Sequence, residues 1–104
     1  PPVFEDAQEK HLLYPDTFQV PSQDDLSAIT INSSVKVCVQ VPQHIQAQRA
    51  AANLHRIISE RFWVTVISTD GDKITAVVDA VTQHIELNAG DEISFEQRHV
   101  YQIH

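Results

Sequence analysis

The 104 residues predict an α+β fold: a small, strongly bent antiparallel sheet or SH3-like partial barrel, with one main amphipathic helix and an extended N-terminal arm. Three observations carry that expectation. "VKVCVQV", residues 35–41, alternates apolar and polar positions with the period of a half-buried strand. Residues 43–60 switch to three- and four-residue apolar spacing, which is the period of a helix. From residue 61 onward the two-residue period returns in short segments separated by turn residues. A chain of this length is expected to form a single domain over 1–104, with 1–21 as the arm and 22–104 as the globular core.

The arm contains Pro2, Pro15 and Pro21 and little periodicity, with Phe4, Leu12, Leu13, Tyr14 and Phe18 as its anchors. It is acidic: Glu5, Asp6, Glu9 and Asp16 precede Asp24 and Asp25, whereas Arg49, Arg56 and Arg61 collect in the helical stretch. Two placements suit such an arm. It can lie across the basic helix, or it can stay in solvent as untied termini commonly do. Ser22 offers an N-cap oxygen and Asp25 a reciprocal partner, so a short helix is expected to run to about Ala28.

The strand at 35–41 places Val35, Val37, Val39 and Val41 on one face and Lys36, Cys38 and Gln40 on the other, and Pro42 closes it. From Gln43 to Glu60, Ala47, Ala50, Ala51, Leu54, Ile57 and Ile58 form a narrow stripe suited to close approach to a sheet. A strand over 61–68 begins at once. Phe62, Val64 and Val66 face one way, and Arg61, Trp63 and Thr65 the other. "TDGD" at 69–72 predicts a hairpin to a strand over 73–81, and further strands are expected at 92–96 and 99–103. The helix would cover one face of the sheet or plug one end.

Charge and motif content narrow the function. Net charge −7 repels phosphate backbones and anionic lipid, so neither nucleic acid nor a membrane surface is an expected partner. One cysteine, Cys38, rules out an internal disulfide and suits a reducing, cytoplasmic setting. His44 and His55 lie eleven positions apart, roughly 16 Å along a helix, and cannot share an ion. His84, His99 and His104 show none of the usual ligand spacings, so neither a metal nor another cofactor is expected. The two glycines, Gly71 and Gly90, fall in predicted turns and form no phosphate loop. Cys38 lacks a recognisable base, and no nucleophile elbow is present, so no catalytic residue is assigned.

The candidate binding residues are Arg61, Trp63, Asp79 and His99. Arg61 and Trp63 share a strand face, where an arginine beside an indole can stack or grip a carboxylate. Asp79 interrupts an apolar strand between Val77 and Val81, so it is expected either at an edge or paired with Arg61 or His99. A structural ion-pair network would account for the same residues.

"ERFWVTV", a hairpin with an acid near the end of its second strand, and "LNAGDEISFEQRHVYQI" together resemble a family of small uncharacterised bacterial proteins. Its signature is Glu-Arg-(Met/Phe)-Trp-Val, then Gly-Asp-x-Ile-x-Phe and a late His-(Val/Ile). "TFQVPSQDDLSAITINSSVKV" is similar to that family's opening, and the likeness spans residues 17–103. Matching positions are Glu60, Arg61, Trp63, Gly90, Asp91, Phe95 and His99; Ser33 and Ser34 stand where the family pattern has Gly-Asp. The resemblance implies a bacterial cytosolic protein without assigned catalytic residues.

The expected function is a non-catalytic protein-interaction or accessory module that presents Arg61, Trp63, Asp79 and His99 to a protein partner, with basic character suiting the acidic chain. The alternative is a small-molecule-binding or hydrolytic domain with a pocket near Arg61, Asp79 and His99. Homodimerisation through a strand edge, the 35–41 strand first, is a further expectation.

Overall fold

A computed structural model describes every residue, 1–104. In chain order it contains α1 (Ala7–Leu13), α2 (Gln23–Ser27), β1 (Ser34–Gln40), α3 (Gln43–Ala51), β2 (Ser59–Asp70), β3 (Lys73–Val78), β4 (Glu92–Glu96), a 3₁₀ turn (Gln97–His99) and β5 (Gln102–Ile103). The strands form one antiparallel sheet of five, ordered β4-β3-β2-β1-β5. The sheet is open, with β4 and β5 as its edges, so it is not closed into a barrel.

The two-residue period decides which side is dry. Val35, Val37 and Val39 of β1, Phe62, Val64 and Val66 of β2, Ile74, Ala76 and Val78 of β3, and Ile93 and Phe95 of β4 all join one buried cluster. The register sets Val35 against Val64 and Val37 against Phe62, so the inward residues of neighbouring strands meet across the ladder. Leu26 of α2, Ile29, Ile85 and Val100 close this core from outside the sheet. Between Val66 and Ser68 the β2–β3 register shifts, leaving Ile67 outside the pairing. The following turn requires the positive φ of 59° that Gly71 adopts.

The helix predicted over 43–60 is the main correction. It ends at Ala51, and none of its residues is buried. Asn53 takes φ 61°, its N–H donates to the Ala50 carbonyl, and the Leu54 N–H donates to the Arg49 carbonyl. That pair of bonds is a Schellman stop with asparagine in the left-handed position. Ala47, Ala50 and Ala51 consequently face solvent. Ile57 packs on the core from the connecting segment, and β2 starts at Ser59. The strand expected over 73–81 likewise stops at Val78, and Val81 is exposed.

The arm departs from a purely extended course. Asp6 caps α1 by accepting from the Glu9 N–H at 2.9 Å, and Ala7 is fully buried. Phe4 bridges Val39 of β1, with backbone bonds from Glu5 N–H to the Cys38 carbonyl and from Gln40 N–H to the Val3 carbonyl, each 2.9 Å. Its ring also lies 5.4 Å from that of Phe95 in β4, so the curled sheet brings an edge strand and the arm beside β1 together. The acidic side chain that is anchored here pairs away from α3: Asp6 meets Arg98 at 2.9 Å. These contacts also revise the proposed dimer edge. β1 is an inner strand, flanked by β2 on one side and by β5 and the arm on the other.

Candidate interaction face

The polar positions of β1 and β2 build the outer face of the sheet. Lys36 stands opposite Trp63 and Cys38 opposite Arg61, while Val64 pairing with Val78 brings Asp79 alongside Trp63. The Asp79 N–H donates to the Trp63 carbonyl at 3.1 Å, holding the chain beside β2 past the last residue of β3. Three of the four predicted residues, Arg61, Trp63 and Asp79, are therefore on one surface.

Arg61 is exposed and forms no salt bridge. Its guanidinium lies 5.0 Å from the Tyr101 ring centroid and 5.8 Å from that of Phe18. Those rings meet edge to face at 5.2 Å, and Lys10 Nζ sits 5.0 Å from Phe18. A guanidinium held over aromatic rings, with no carboxylate paired to it, keeps N–H donors for an acceptor. Tyr101, Cys38 and Ala7 form a small buried cluster beneath. Burial, then the neighbouring Cys38 and Glu5, push the Tyr101 hydroxyl well above its ordinary pKa, so it stays protonated.

Trp63 is half-buried, with Lys36 Nζ 4.9 Å from its ring and the His104 ring edge-on at 6.1 Å. Asp79 is exposed and pairs with neither of its predicted partners. Its Oδ2 accepts from the Thr65 hydroxyl at 3.3 Å.

His99 stands apart from the other three. It is 9% exposed and sits at the end of the 3₁₀ turn, with its ring 5.6 Å from Phe4, which packs on the main core. The Glu96 N–H donates to His99 Nδ1 at 3.0 Å. Burial, and secondarily the charge of Arg98, lower its pKa. Asp6 nearby responds to opposing influences: burial raises it, but the Glu9 N–H and Arg98 outweigh that and hold its carboxyl below the usual range.

Most of the other residues on which the sequence resemblance rests make structural contacts. Glu60 accepts from the Gln83 N–H at 2.8 Å and the His84 N–H at 2.6 Å, tying the β3–β4 connection to β2. Gly90 takes φ 93° and donates to the Val78 carbonyl, while Asp91 accepts from the Asn88 N–H at 2.8 Å. Phe95 fills the core. Arg61 and Trp63 remain, with no side-chain hydrogen bond to any protein group, and both face outward.

Two cavities border these elements. One, about 520 Å³, is a surface groove beside the segment Thr17–Pro21 and β5, lined also by Asp25, Arg61 and Tyr101. The larger, about 610 Å³, lies between the arm and α3, lined by His44, Arg56 and Glu86, and includes none of the four predicted residues. No sequence pattern points to it, because its walls come from 1–3, 39–46, 56–58 and 85–87, segments without a shared motif. None of the four main cavities brings together two of Arg61, Asp79 and His99. The chain matches no protein-family model, and no curated protein or solved structure matches it significantly.

Proposed function

We propose that the chain is a non-catalytic interaction module of the small bacterial family it resembles, acting in the cytoplasm and docking a partner protein on the outer face of its sheet. The observation that carries this reading is the arrangement of Arg61, Trp63 and Asp79 on one face, with an arginine that lies over an aromatic ring and has no carboxylate of its own. Arginine and tryptophan are among the residue types most enriched at interface hot spots. Net charge −7 steers a partner of basic overall character, while the local cations Lys36 and Arg61 select an acceptor group within it. The strand order β4-β3-β2-β1-β5, with a 3₁₀ turn joining β4 to β5, supports an SH3-like arrangement of the open sheet.

The test is native mass spectrometry of the tagged protein purified gently from its own host, in parallel with Trp63→Ala and Asp79→Asn. A stoichiometric protein partner, retained by the parent and lost from either folded variant, is the expected result. Purification of the parent without a protein partner, or with one that both variants retain, would overturn the reading.

A further inference from the structure

We infer that the cavity of about 610 Å³ is a binding site for a small apolar monocarboxylate, whose charged end meets Arg56 and whose body lies against Ile58, Ile85 and Leu87. The site goes beyond the docking face, since none of Arg61, Trp63 or Asp79 lines it.

Its walls are fixed by bonds within the chain. The Val41 N–H donates to the Ile58 carbonyl at 2.8 Å, and Gln46 Nε2 donates to the Val41 carbonyl at 2.9 Å. The residue after β1 therefore holds both α3 and the segment leading into β2. Arg49 Nε donates to the His55 carbonyl at 3.0 Å, which fixes the chain immediately before Arg56. Thr82 Oγ1 donates to the Leu87 carbonyl at 2.6 Å, and His44 of α3 pairs with Glu86, so the 85–87 stretch is tied at two points. The bond from the Gln40 N–H to the Val3 carbonyl adds the arm. A cavity formed in advance loses little order on binding.

The lining specifies the ligand. Val3 and Ile58 are large and apolar, yet each is 54% exposed, and both border the cavity. Ile57 packs on the core while its neighbours Arg56 and Ile58 line the cavity, which sets a cation beside an apolar side chain. Arg56 is the one lysine or arginine in the lining. It forms no salt bridge, no side-chain hydrogen bond and no contact with an aromatic face. Glu86, the one acid, is engaged by His44. The group without a partner is thus a guanidinium, whose forked N–H donors match a carboxylate. A second negative charge on the ligand would meet Glu86, and a phosphate would find no second lysine or arginine. The volume is within the range of small-molecule sites.

The probe is octanoate, titrated into the isotope-labelled full chain and followed by amide chemical shifts. Saturable shifts are expected at Val41, Gln46, Ile58 and residues 85–87. Arg56→Gln should weaken binding at least tenfold, and Arg56→Lys should restore part of the loss. Octanamide, which has the apolar body without the charge, should bind the parent at least tenfold more weakly and should not distinguish it from Arg56→Gln. Ile58→Ser should weaken both compounds. The two substituted side chains are exposed, and the amide spectrum reports whether each variant is folded.

Absence of saturable binding at millimolar octanoate would overturn the inference, as would equal affinity for parent and Arg56→Gln or shifts centred outside the cavity. Equal or tighter binding of octylamine would make Glu86 the recognising group and would also overturn it. Failure of this site leaves the docking face standing, because that reading is tested by a protein partner lost on Trp63→Ala or Asp79→Asn.

Discussion

Glu60 on β2 receives the backbone N–H of His84 at 2.6 Å on one carboxylate oxygen, while the other receives that of Gln83. The contact joins the start of the central strand β2 to the long connection between β3 and β4, which positions Ile85 in the core. Glu60 belongs to the charged pair at the start of β2, and its role is to organise backbone. Arg61 beside it points away from the core and keeps its charge free of any ion pair.

Glu60→Ala should therefore destabilise the fold by about 1.5–3 kcal/mol, the usual scale for hydrogen bonds to a charged acceptor. Urea unfolding gives the magnitude, and amide exchange at Gln83 and His84 should accelerate beyond that at the β1–β2 ladder. Glu60→Gln, which retains one acceptor oxygen, should lose less.

Asn53 allows a second prediction. Its left-handed backbone ends α3, and a β-branched residue there carries a steric penalty of about 1–2 kcal/mol. Asn53→Val should lower stability by about 1 kcal/mol, with the loss limited by fraying of α3, which buries no residue. Asn53→Gly should preserve the helix end. Exchange of the Asn53 and Leu54 amides, both bonded to carbonyls in α3, reports the local change.

Acid should weaken the attachment of the arm. His99 faces Phe4 and Asp6 from the arm, Glu96 at the end of β4 and Arg98 from the 3₁₀ turn. Its Nδ1 accepts from the Glu96 N–H, so a proton on that nitrogen would set donor against donor. The folded pKa lies below the ordinary 6.5, which means the unfolded chain binds the proton first. Stability is therefore complete above about pH 6.5 and falls as pH drops from there through the folded pKa. Asp6, also lowered, adds a second loss in the same direction at more acid pH, below about 4. Thermal midpoints from pH about 7.5 to about 5 should decline in the parent. In His99→Gln, which keeps an acceptor, the slope above pH about 5 should flatten while the lower, Asp6-dependent loss remains.

The α+β class and the faces of β1 and β2 were legible because burial on one side leaves a two-residue record along each strand. Val35, Val37, Val39, Phe62, Val64 and Val66 are all in the core as that record requires. The capped helix at Ser22 was legible for a local reason too: the Ser22 hydroxyl accepts from the Asp25 N–H at 3.1 Å. The end of α3 was misread because Leu54, Ile57 and Ile58 continue the helical spacing past Asn53. The signal that could have located it was asparagine followed by an apolar residue directly after an alanine run.

The candidate site divides in the same way. Arg61 and Trp63 sit on one face because they are two residues apart on one strand, and Asp79 joins them because the hairpin at Gly71 sets the β2–β3 register. His99 is twenty positions further along and beyond β4, so no local period relates it to that face; the crossover to β5 carried it into the core beside Phe4. Residue order by itself determined strand faces, turns and caps, since these depend on side chains a few positions apart. The tertiary structure alone decided the docking of the arm, the internal position of β1 and the groove that Arg61 and Asp25 both line. Those features join segments far apart in the chain, where the burial of Phe4, Ala7 and Tyr101 outweighs what any local pattern records.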